Sequence, residues 1–247
     1  MPSSKNKVLI LGDKGMLGHM VKMYLQQFYE IETINHRFPS QQFEDSIKAS
    51  SAGFLINCIG AIPQRTKDFS INYELPIWLD SNFSGNIIHP GTDCEMDDDD
   101  YGNSKRIAAE WIINHGTRTK IIKGSIVGPE VGGSASLLYW FLSNEDGSQV
   151  NGFTDHMWNG VTTLQWAEHS KKMIDEWNTF LDRTVIGSEC NSKFTLLNIF
   201  NEVYSRNITI NPFQSSRPVN KCLPLDVDYG DFKAMVKRMK DFYDSKA

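Results

Sequence analysis

Short runs of consecutive apolar residues alternate with segments of helical periodicity through the first half of the chain. Residues 8–11 and 54–59 are too apolar for half-solvated strands and predict strands buried on both faces. Residues 16–25 carry apolar positions at helical spacing. Further strands are predicted near 31–34, 86–89 and 119–123, and helices over 73–83 and 101–115. This alternation predicts an α/β fold with a doubly wound parallel sheet.

The pattern changes after Gly124. Helices are predicted over residues 134–142, over 162–182 with a break near Lys171, and over 231–243. A strand is predicted over 148–153, and residues 194–204 predict either a strand or the start of a helix. With no repeat or evident linker, we expect residues 1–147 to form the main domain and 148–247 a small C-terminal lobe interleaved with it.

Composition excludes several classes. The 247 residues are 40% hydrophobic and 22% charged, which is ordinary for a globular protein. The formal net charge of −5 argues against general nucleic-acid binding. No apolar run approaches the roughly 18 residues of a membrane span. The polar first residues predict no secretory signal, so we expect a cytoplasmic protein without a membrane partner.

The four cysteines are widely spaced, and they form neither a CxxC pair nor a Cys/His cluster. They are Cys58, Cys94, Cys190 and Cys222. Reduced cysteines in a cytosolic protein are therefore expected, with no disulfide framework and no metal site.

A glycine-rich turn lies between the first predicted strand and helix. Gly12, Gly15 and Gly18 have the spacing that permits a tight turn, close approach of a pyrophosphate and close helix–strand packing. The free amides of the following helix N-terminus attract phosphates. Because the turn follows the first strand of a βαβ pattern, it predicts dinucleotide binding and a Rossmann sheet.

The end of the second strand bears on the choice of dinucleotide. A carboxylate there would bind the ribose of NAD, whereas a basic residue would accommodate the 2′-phosphate of NADP. This strand leads into His36 and Arg37 with no acid at its tip. NADP(H) is therefore favoured over NAD(H).

Tyr101 and Lys105 lie four positions apart, which places both on one face of a helix. An ammonium beside a tyrosine lowers its pKa from the usual value near 10 and favours proton exchange. Thr92 follows the strand near 86–89, at the carboxyl end where open α/β sheets bind ligands. Its hydroxyl could polarise a substrate carbonyl, so the three residues form a candidate catalytic set.

These motifs resemble the extended short-chain dehydrogenase/reductase superfamily and, more narrowly, the dTDP-4-dehydrorhamnose reductase group. The resemblance covers nearly the whole chain. It rests on the glycine turn, Asn57-Cys58-Ile59-Gly60, Asn72-Tyr73-Glu74-Leu75-Pro76, Thr92-Asp93, Tyr101-x-x-x-Lys105, residues 158–164 and Ser216-Arg217-Pro218.

The resemblance implies roles for individual residues. Tyr101 would protonate the reduced carbonyl oxygen, Lys105 would tune Tyr101 and hold the nicotinamide ribose, and Thr92 would orient the carbonyl. The cofactor would contact Gly12, Gly15, Met16, Leu17, Gly18, His36, Arg37, Cys58, Ile59, Gly60, Asn72, Ser125 and Ile126. A nucleotide sugar would contact Asp93, Trp158, Asn159 and Arg217, besides Thr92 and Tyr101. A helix such as 101–115 often forms dimer interfaces in the superfamily, which allows a homodimer.

The chain departs from the group between Thr92 and Tyr101, where the segment is shorter than expected. The missing loop usually lies beside the sugar. In its place stands an acidic run, residues 95–100, which we interpret as a solvated loop that caps the following helix and not as a metal site.

The resemblance therefore implies NADPH-dependent reduction of the C4 keto group of a nucleoside-diphosphate 4-keto-6-deoxy sugar, which supplies a deoxyhexose donor for glycan synthesis. Two alternatives stay open. One is an epimerase or dehydratase that retains NAD, for which a second carboxylate after Asp93 is not evident. The other is a non-catalytic NADP-binding regulatory subunit, against which the intact Thr92, Tyr101 and Lys105 argue.

Overall fold

The computed structural model describes residues 7–133 and 135–246, and within these ranges strands and helices alternate as far as residue 123. The strands are β1 (Lys7–Leu11), β2 (Glu30–Thr33), β3 (Phe54–Asn57), β4 (Asn86–Gly91), β5 (Thr119–Lys123), β6 (Ile126–Val127), β7 (Gln149–Phe153), β8 (His156–Trp158), β9 (Val161–Thr162), β10 (Arg183–Gly187), β11 (Asn191–Ser192), β12 (Thr209–Phe213), β13 (Val219–Asn220) and β14 (Val227–Asp228). The α-helices are α1 (Met16–Leu25), α2 (Gln41–Ala49), α3 (Ile71–Asn82), α4 (Asp100–His115), α5 (Leu137–Leu142), α6 (Thr163–Asp175), α7 (Lys193–Val203) and α8 (Phe232–Asp244).

A seven-stranded sheet has the order β14-β10-β5-β4-β3-β1-β2. The pairs β1–β2, β1–β3, β3–β4, β4–β5 and β10–β14 are parallel. The predicted α/β Rossmann-type sheet is confirmed. Because β2 and β3 pair with opposite sides of β1, the direction of winding reverses between β1 and β3, and ligands of doubly wound sheets bind at such a point.

The central strands β1 and β3 are apolar because helices cover both faces of the sheet. Residues 8–11 of β1 have no exposed surface, and β3 is buried throughout. On one face, Leu9 and Leu11 pack in a cluster with Phe43 of α2 and Leu75 and Leu79 of α3. This packing holds the carboxyl ends of β1 and β3 in place.

Helix α2 has no counterpart among the predicted elements. Its buried positions are Phe43 and Ile47, one turn apart in an otherwise polar segment, so the apolar signal is weak. Ser40 caps its N-terminus by accepting a hydrogen bond from the backbone N–H of Phe43 at 3.2 Å.

Two predicted elements of the second half differ in the structure, and one open alternative is decided. Helix α6 continues through Lys171 and ends at Asp175, where a 3-10 turn over Trp177–Thr179 follows, so the break predicted near Lys171 is wrong. Helix α5 begins only after its cap, Ser136, and Ser134, the first residue of the predicted helix, lies outside the described residues. For residues 194–204 the helix is the alternative found: α7 covers Lys193–Val203, and Ser192 caps its N-terminus by accepting from the N–H of Thr195.

The chain divides into two compact units and crosses between them three times. The first unit comprises the chain up to Lys123 together with Ala167–Thr184, and the second comprises Gly124–Trp166 and the chain from Val185. The first crossing falls at Gly124, where the sequence pattern changes, and not at residue 148.

A disulfide joins Cys190 and Cys222, with 5.9 Å between their Cα atoms. The expectation that all four cysteines are reduced is therefore wrong for this pair, whereas Cys58 and Cys94 are not disulfide-bonded. The pairing has a structural reason, since Cys190 precedes β11 and Cys222 follows β13, and both strands flank β8. The sheet brings together two cysteines that are 32 positions apart in the sequence.

No helix in the described ranges is long and apolar enough to cross a membrane. The same ranges contain no group of three His, Cys, Asp or Glu side chains that could hold a metal ion.

The disulfide predicts a redox-dependent stability. The double variant Cys190→Ser/Cys222→Ser should lose about 2–4 kcal/mol of unfolding free energy, because the cross-link removes conformational entropy from the unfolded chain. Urea unfolding followed by circular dichroism measures this loss. Dithiothreitol should destabilise the wild type by a similar amount and leave the double variant unchanged. Equal urea midpoints for the oxidised and reduced wild type would contradict the expectation.

Candidate active site

The glycine turn after β1 depends on two close backbone approaches. Gly12 has a φ of +74°, and a Cβ there would lie 2.9 Å from the backbone of Cys58. A Cβ at Gly18 would lie only 2.1 Å from the carbonyl oxygen of Gly12. Both positions therefore require glycine, the first for its φ and its space and the second for its space alone.

The N-terminus of α1 fits an anionic group. Gly15 is its N-cap and supplies no side-chain hydrogen bond, and the first turn contains no acidic residue. The amides of this turn are therefore not satisfied by a capping side chain, which is what a phosphate-binding helix needs. Asp13 of the same loop forms a 2.7 Å ion pair with Lys22. This pair reduces the repulsion that the Asp13 carboxylate would exert on a phosphate.

Residues 58–60 follow β3 at the edge where the glycine turn follows β1. The N–H of Cys58 donates to the carbonyl of Leu11 at 2.9 Å, and the N–H of Ile59 donates to Oδ1 of Asn57 at 3.1 Å. The structure thus brings together the glycine turn and the segment expected to line the cofactor. They meet at the β1–β3 reversal point.

Asn72 connects this edge to α4. Its Oδ1 accepts from the N–H of Ala61 at 2.7 Å, and its Nδ2 donates to the carbonyl of Ala61 at 3.1 Å and to Oγ of Ser104 at 3.0 Å. All side-chain polar atoms of Asn72 have protein partners, and the residue is 1% exposed. Asn72 therefore holds the segment after β3 in place against α4.

Thr92 follows β4 and caps the short 3-10 helix Asp93–Met96. Its hydroxyl accepts from the N–H of Cys94 at 3.2 Å and donates to Oδ1 of Asp93 at 2.9 Å. The N–H of Thr92 donates to Oε1 of Glu95 at 2.9 Å, which completes a capping box. These bonds hold Thr92 at the carboxyl end of β4.

Tyr101 and Lys105 lie in the first turns of α4, as expected. Asp99 caps this helix by accepting from the N–H of Gly102 at 2.6 Å, so the predicted capping by the acidic run is found. Lys105 is 9% exposed, and a Cβ at Gly60 would lie 3.1 Å from its Nζ and 3.2 Å from Asn72 Oδ1. Lys105 therefore reaches from α4 to the segment after β3.

The pKa of Tyr101 differs from the expectation, which was a lowered value. Burial raises the pKa of Tyr101, and the nearby titratable groups of Cys94, Asp93, Asp99 and Glu95 raise it further. Lys105 is not among the groups that shift it, so the predicted lowering of the tyrosine pKa is not seen. The phenol stays protonated at neutral pH, which suits a proton donor and not a base.

Burial also lowers the pKa of Lys105 to about 8, against the opposing effects of Glu95 and Cys94. His89 of β4 is buried, and burial and the nearby Lys105 lower its pKa to about 3. His89 is therefore neutral at physiological pH and adds no charge beside Lys105.

The acidic run is not uniformly solvated. Glu95 is 5% exposed, and its Oε2 accepts a 2.6 Å hydrogen bond from Nζ of Lys123, which is 7% exposed. The interpretation of residues 95–100 as a solvated loop is wrong for Glu95 and holds for the exposed Asp98 and Asp100. Neither Glu95 nor Lys123 stood out in the sequence, since the two residues are 28 positions apart.

The remaining predicted cofactor contacts differ in exposure. His36 and Arg37 are exposed beyond the end of β2. Ser125 and Ile126 belong to the second unit, where the carbonyl of Ser125 accepts from Val161 and Ile126 pairs with Val161 in the β6–β9 ladder.

The predicted substrate contacts of the second unit are engaged to different degrees. The side chain of Asn159 accepts from the N–H of Leu223 at 2.9 Å and donates to its carbonyl at 2.8 Å, so it fastens the chain and is only 6% exposed. This bonding differs from the expected contact with a sugar. The ring of Trp158 packs edge-on against that of Phe232, with 5.1 Å between the ring centroids. The side chain of Arg217 is exposed.

Comparison with solved structures identifies the architecture. A dTDP-4-dehydrorhamnose reductase from Clostridium acetobutylicum superposes with a TM-score of 0.74 at 16% identity, over 96% of this chain and 99% of that chain. The chain has the fold of dTDP-4-dehydrorhamnose reductases. No protein-family model and no curated protein sequence matches it.

Two further structures with this fold were solved with a cofactor. The dTDP-4-dehydrorhamnose reductase of Bacillus anthracis, in complex with NADP, has a TM-score of 0.73 at 11% identity, over 96% of this chain and 99% of that chain. A GDP-mannoheptose C4 reductase from Campylobacter jejuni, with NADP bound, has a TM-score of 0.65 at 11% identity, over 99% of this chain and 100% of that chain. The fold predicted from the glycine turn and the strand pattern is thus confirmed.

The glycine turn predicts a sharp difference between two alanine variants. Gly18→Ala should lose about 1–3 kcal/mol of stability, because the new methyl group meets a backbone carbonyl that no side-chain rotation can move away. Gly15→Ala is the matched control, since its Cβ would lie 3.4 Å from Gly12 O in ordinary contact. Urea unfolding measures both losses, and equal losses would contradict the close approach.

Proposed function

We propose that this chain is an NADPH-dependent reductase of the C4 keto group of a nucleoside-diphosphate 4-keto-6-deoxy sugar. The observation that carries the proposal is the placement of Thr92, Tyr101 and Lys105 beside the β1–β3 reversal point. Thr92 follows β4, and Lys105 reaches from α4 to Gly60, in the segment after β3 that meets the glycine turn. The dTDP-4-dehydrorhamnose and GDP-heptose reductases of the same fold support the substrate class.

The residues present fit a dinucleotide. The turn at Gly12 and Gly18 leaves room for no side chain, and the first-turn amides of Met16, Leu17 and Gly18 would hold a pyrophosphate. The exposed Arg37 supplies a positive charge for a 2′-phosphate, which favours NADP(H). NADPH supplies the hydride when bound.

The protein's part in the reaction is orientation and proton transfer. The Thr92 hydroxyl is held beside the end of β4. It would align the substrate carbonyl by turning its proton from Oδ1 of Asp93 to the carbonyl oxygen. Tyr101 donates its phenolic proton to the carbonyl oxygen as negative charge develops there, and burial keeps that proton in place until the transfer. Lys105, as an ammonium, would hold the ribose hydroxyls of the bound cofactor.

The dehydratase alternative has one observation in its favour and one against. A dTDP-glucose 4,6-dehydratase from Bacillus anthracis, in complex with NAD, has the same fold at a TM-score of 0.67 and 11% identity, over 97% of this chain and 96% of that chain. Asp93 lies beside Thr92, but the nearby carboxylate of Glu95 accepts from Thr92 N–H and Lys123 and is not available as a base. We therefore favour the reductase.

The proposal is tested by NADPH oxidation, followed at 340 nm, with dTDP-, UDP- and GDP-linked 4-keto-6-deoxy sugars. We expect turnover with at least one sugar and faster turnover with NADPH than with NADH. Absence of turnover with every sugar, in protein that binds NADPH, would refute the reductase.

Tyr101→Phe should lower kcat by about 10²–10⁴-fold, because it removes the proton donor and keeps the ring. The dissociation constant of NADPH, measured by fluorescence titration, should change less than about threefold. Tyr24→Phe is the matched control, because it removes a phenol from the C-terminal part of α1. If Tyr101→Phe retained full turnover, the regulatory-subunit reading would replace the reductase.

A further inference from the structure

The ion pair between Glu95 and Lys123 is almost fully buried beside the proposed catalytic residues. Its two side chains are 5% and 8% exposed, and the atoms that meet are 2.6 Å apart. Removing two charges from water is costly, and replacing such pairs by apolar residues is often neutral or stabilising. Fold stability alone is therefore a weak reason for this pair.

The surroundings of Glu95 are built to hold its carboxylate in one orientation. Oε1 accepts from the N–H of Thr92 and Oε2 from Lys123. A Cβ at Gly91 would lie 2.9 Å from Oε1, so glycine provides the space for the carboxylate. Arg106 of α4 donates to the carbonyls of Glu95 at 3.0 Å and Asp97 at 3.4 Å, which fastens the same segment to the catalytic helix.

We propose that Glu95 is a positioning residue for the reduction, whose carboxylate fixes the backbone of Thr92 at the carboxyl end of β4. This inference rests on the proposed function, because it assigns Glu95 a task through Thr92 and Lys105. Glu95 itself is buried and paired, and it acts only through these residues. The resemblance assigned it no role.

The negative charge of Glu95 and the burial of Lys105 have opposite effects on the pKa of Lys105. Burial lowers the pKa of Lys105, while Glu95 and Cys94, both in the 3-10 helix, raise it. His89 of β4 also interacts electrostatically with Lys105, but it is neutral at physiological pH. Loss of the Glu95 charge therefore lowers the pKa of Lys105 further and deprotonates more of it near neutral pH.

Two paired variants separate the charge of Glu95 from its hydrogen bond. Glu95→Gln/Lys123→Met removes both charges and keeps an oxygen that can accept from Thr92 N–H. Glu95→Leu/Lys123→Met removes that acceptor as well. Neither leaves a lone buried charge, which a single substitution would do. Asp98→Asn is the matched control, since it removes one exposed charge from the same acidic run.

The first measurement is the titration of Lys105 by NMR, with 13C-labelled lysine and Lys105→Met to assign its signal. Both paired variants should lower the Lys105 midpoint, because they remove Glu95, which raises the pKa of Lys105, whereas Lys123 is not among the groups that shift it. Asp98→Asn should leave the midpoint unchanged. An unchanged midpoint in both pairs would overturn the electrostatic role of Glu95.

The second measurement is steady-state reduction of the sugar. The Leu pair should have a kcat about tenfold below that of the Gln pair, because Thr92 loses the bond that orients it. The KM for NADPH should be equal in the two pairs. In both, the fall of activity at alkaline pH should begin at a lower pH than in the wild type. Equal kcat values in the two pairs would overturn the positioning of Thr92.

A third variant covers the case in which the pairs do not fold. Glu95→Asp keeps the charge and shortens the reach to Thr92, so it should lower kcat about tenfold while the Lys105 midpoint stays near that of the wild type. Wild-type kcat in this variant would overturn the proposal.

The titration needs no substrate and therefore separates the two proposals. If no sugar is reduced but the Lys105 midpoint falls in both pairs, the proposed function fails and the Glu95–Lys105 coupling stands.

Discussion

The pairing of β1 with β3 is the constraint on which the rest of the site depends. With β2 on the other side of β1, the chain reverses its winding at this pair, and the segments after the two strands come together. Gly12 must then adopt a positive φ beside the backbone of Cys58, and the first turn of α1 must pass within contact of Gly12. The strand order itself therefore requires glycine at positions 12 and 18 of the turn.

The same edge explains why charged groups are buried there. Lys105 must reach the segment after β3 from α4, and its path lies through protein, where an ammonium is poorly solvated. A carboxylate nearby offsets part of that cost, and Glu95 is the buried carboxylate that raises the pKa of Lys105. Glu95 itself needs the cation of Lys123 at the end of β5. Lys105 thus depends on the opposite charge of Glu95, and Glu95 depends on that of Lys123.

Local features of the site could be predicted from the sequence, and distant pairings could not. Strand apolarity, glycine spacing and the Tyr101–Lys105 separation act within one element or one turn, so periodicity reveals them. Glu95 and Lys123 meet only because β4 and β5 are neighbours with Gly91 opposite Lys123 in register. Position within the acidic run suggested solvation for Glu95, and the capping box of Thr92 turned it inward. Helix α2 was missed because two apolar residues are too few for a periodic signal.

The disulfide illustrates the same limit in the second unit and explains the environment of Asn159. Strands β11 and β13 have two residues each, too few for ladder hydrogen bonds alone to hold them beside β8. The cross-link between Cys190 and Cys222 and the two hydrogen bonds between Asn159 and Leu223 fasten both flanking strands near the end of β8. Composition and spacing argued for free thiols because they contain no information about which strands pair. Once β8 lies between β11 and β13, the two cysteines are within bonding distance, and Asn159 is engaged in holding the sheet.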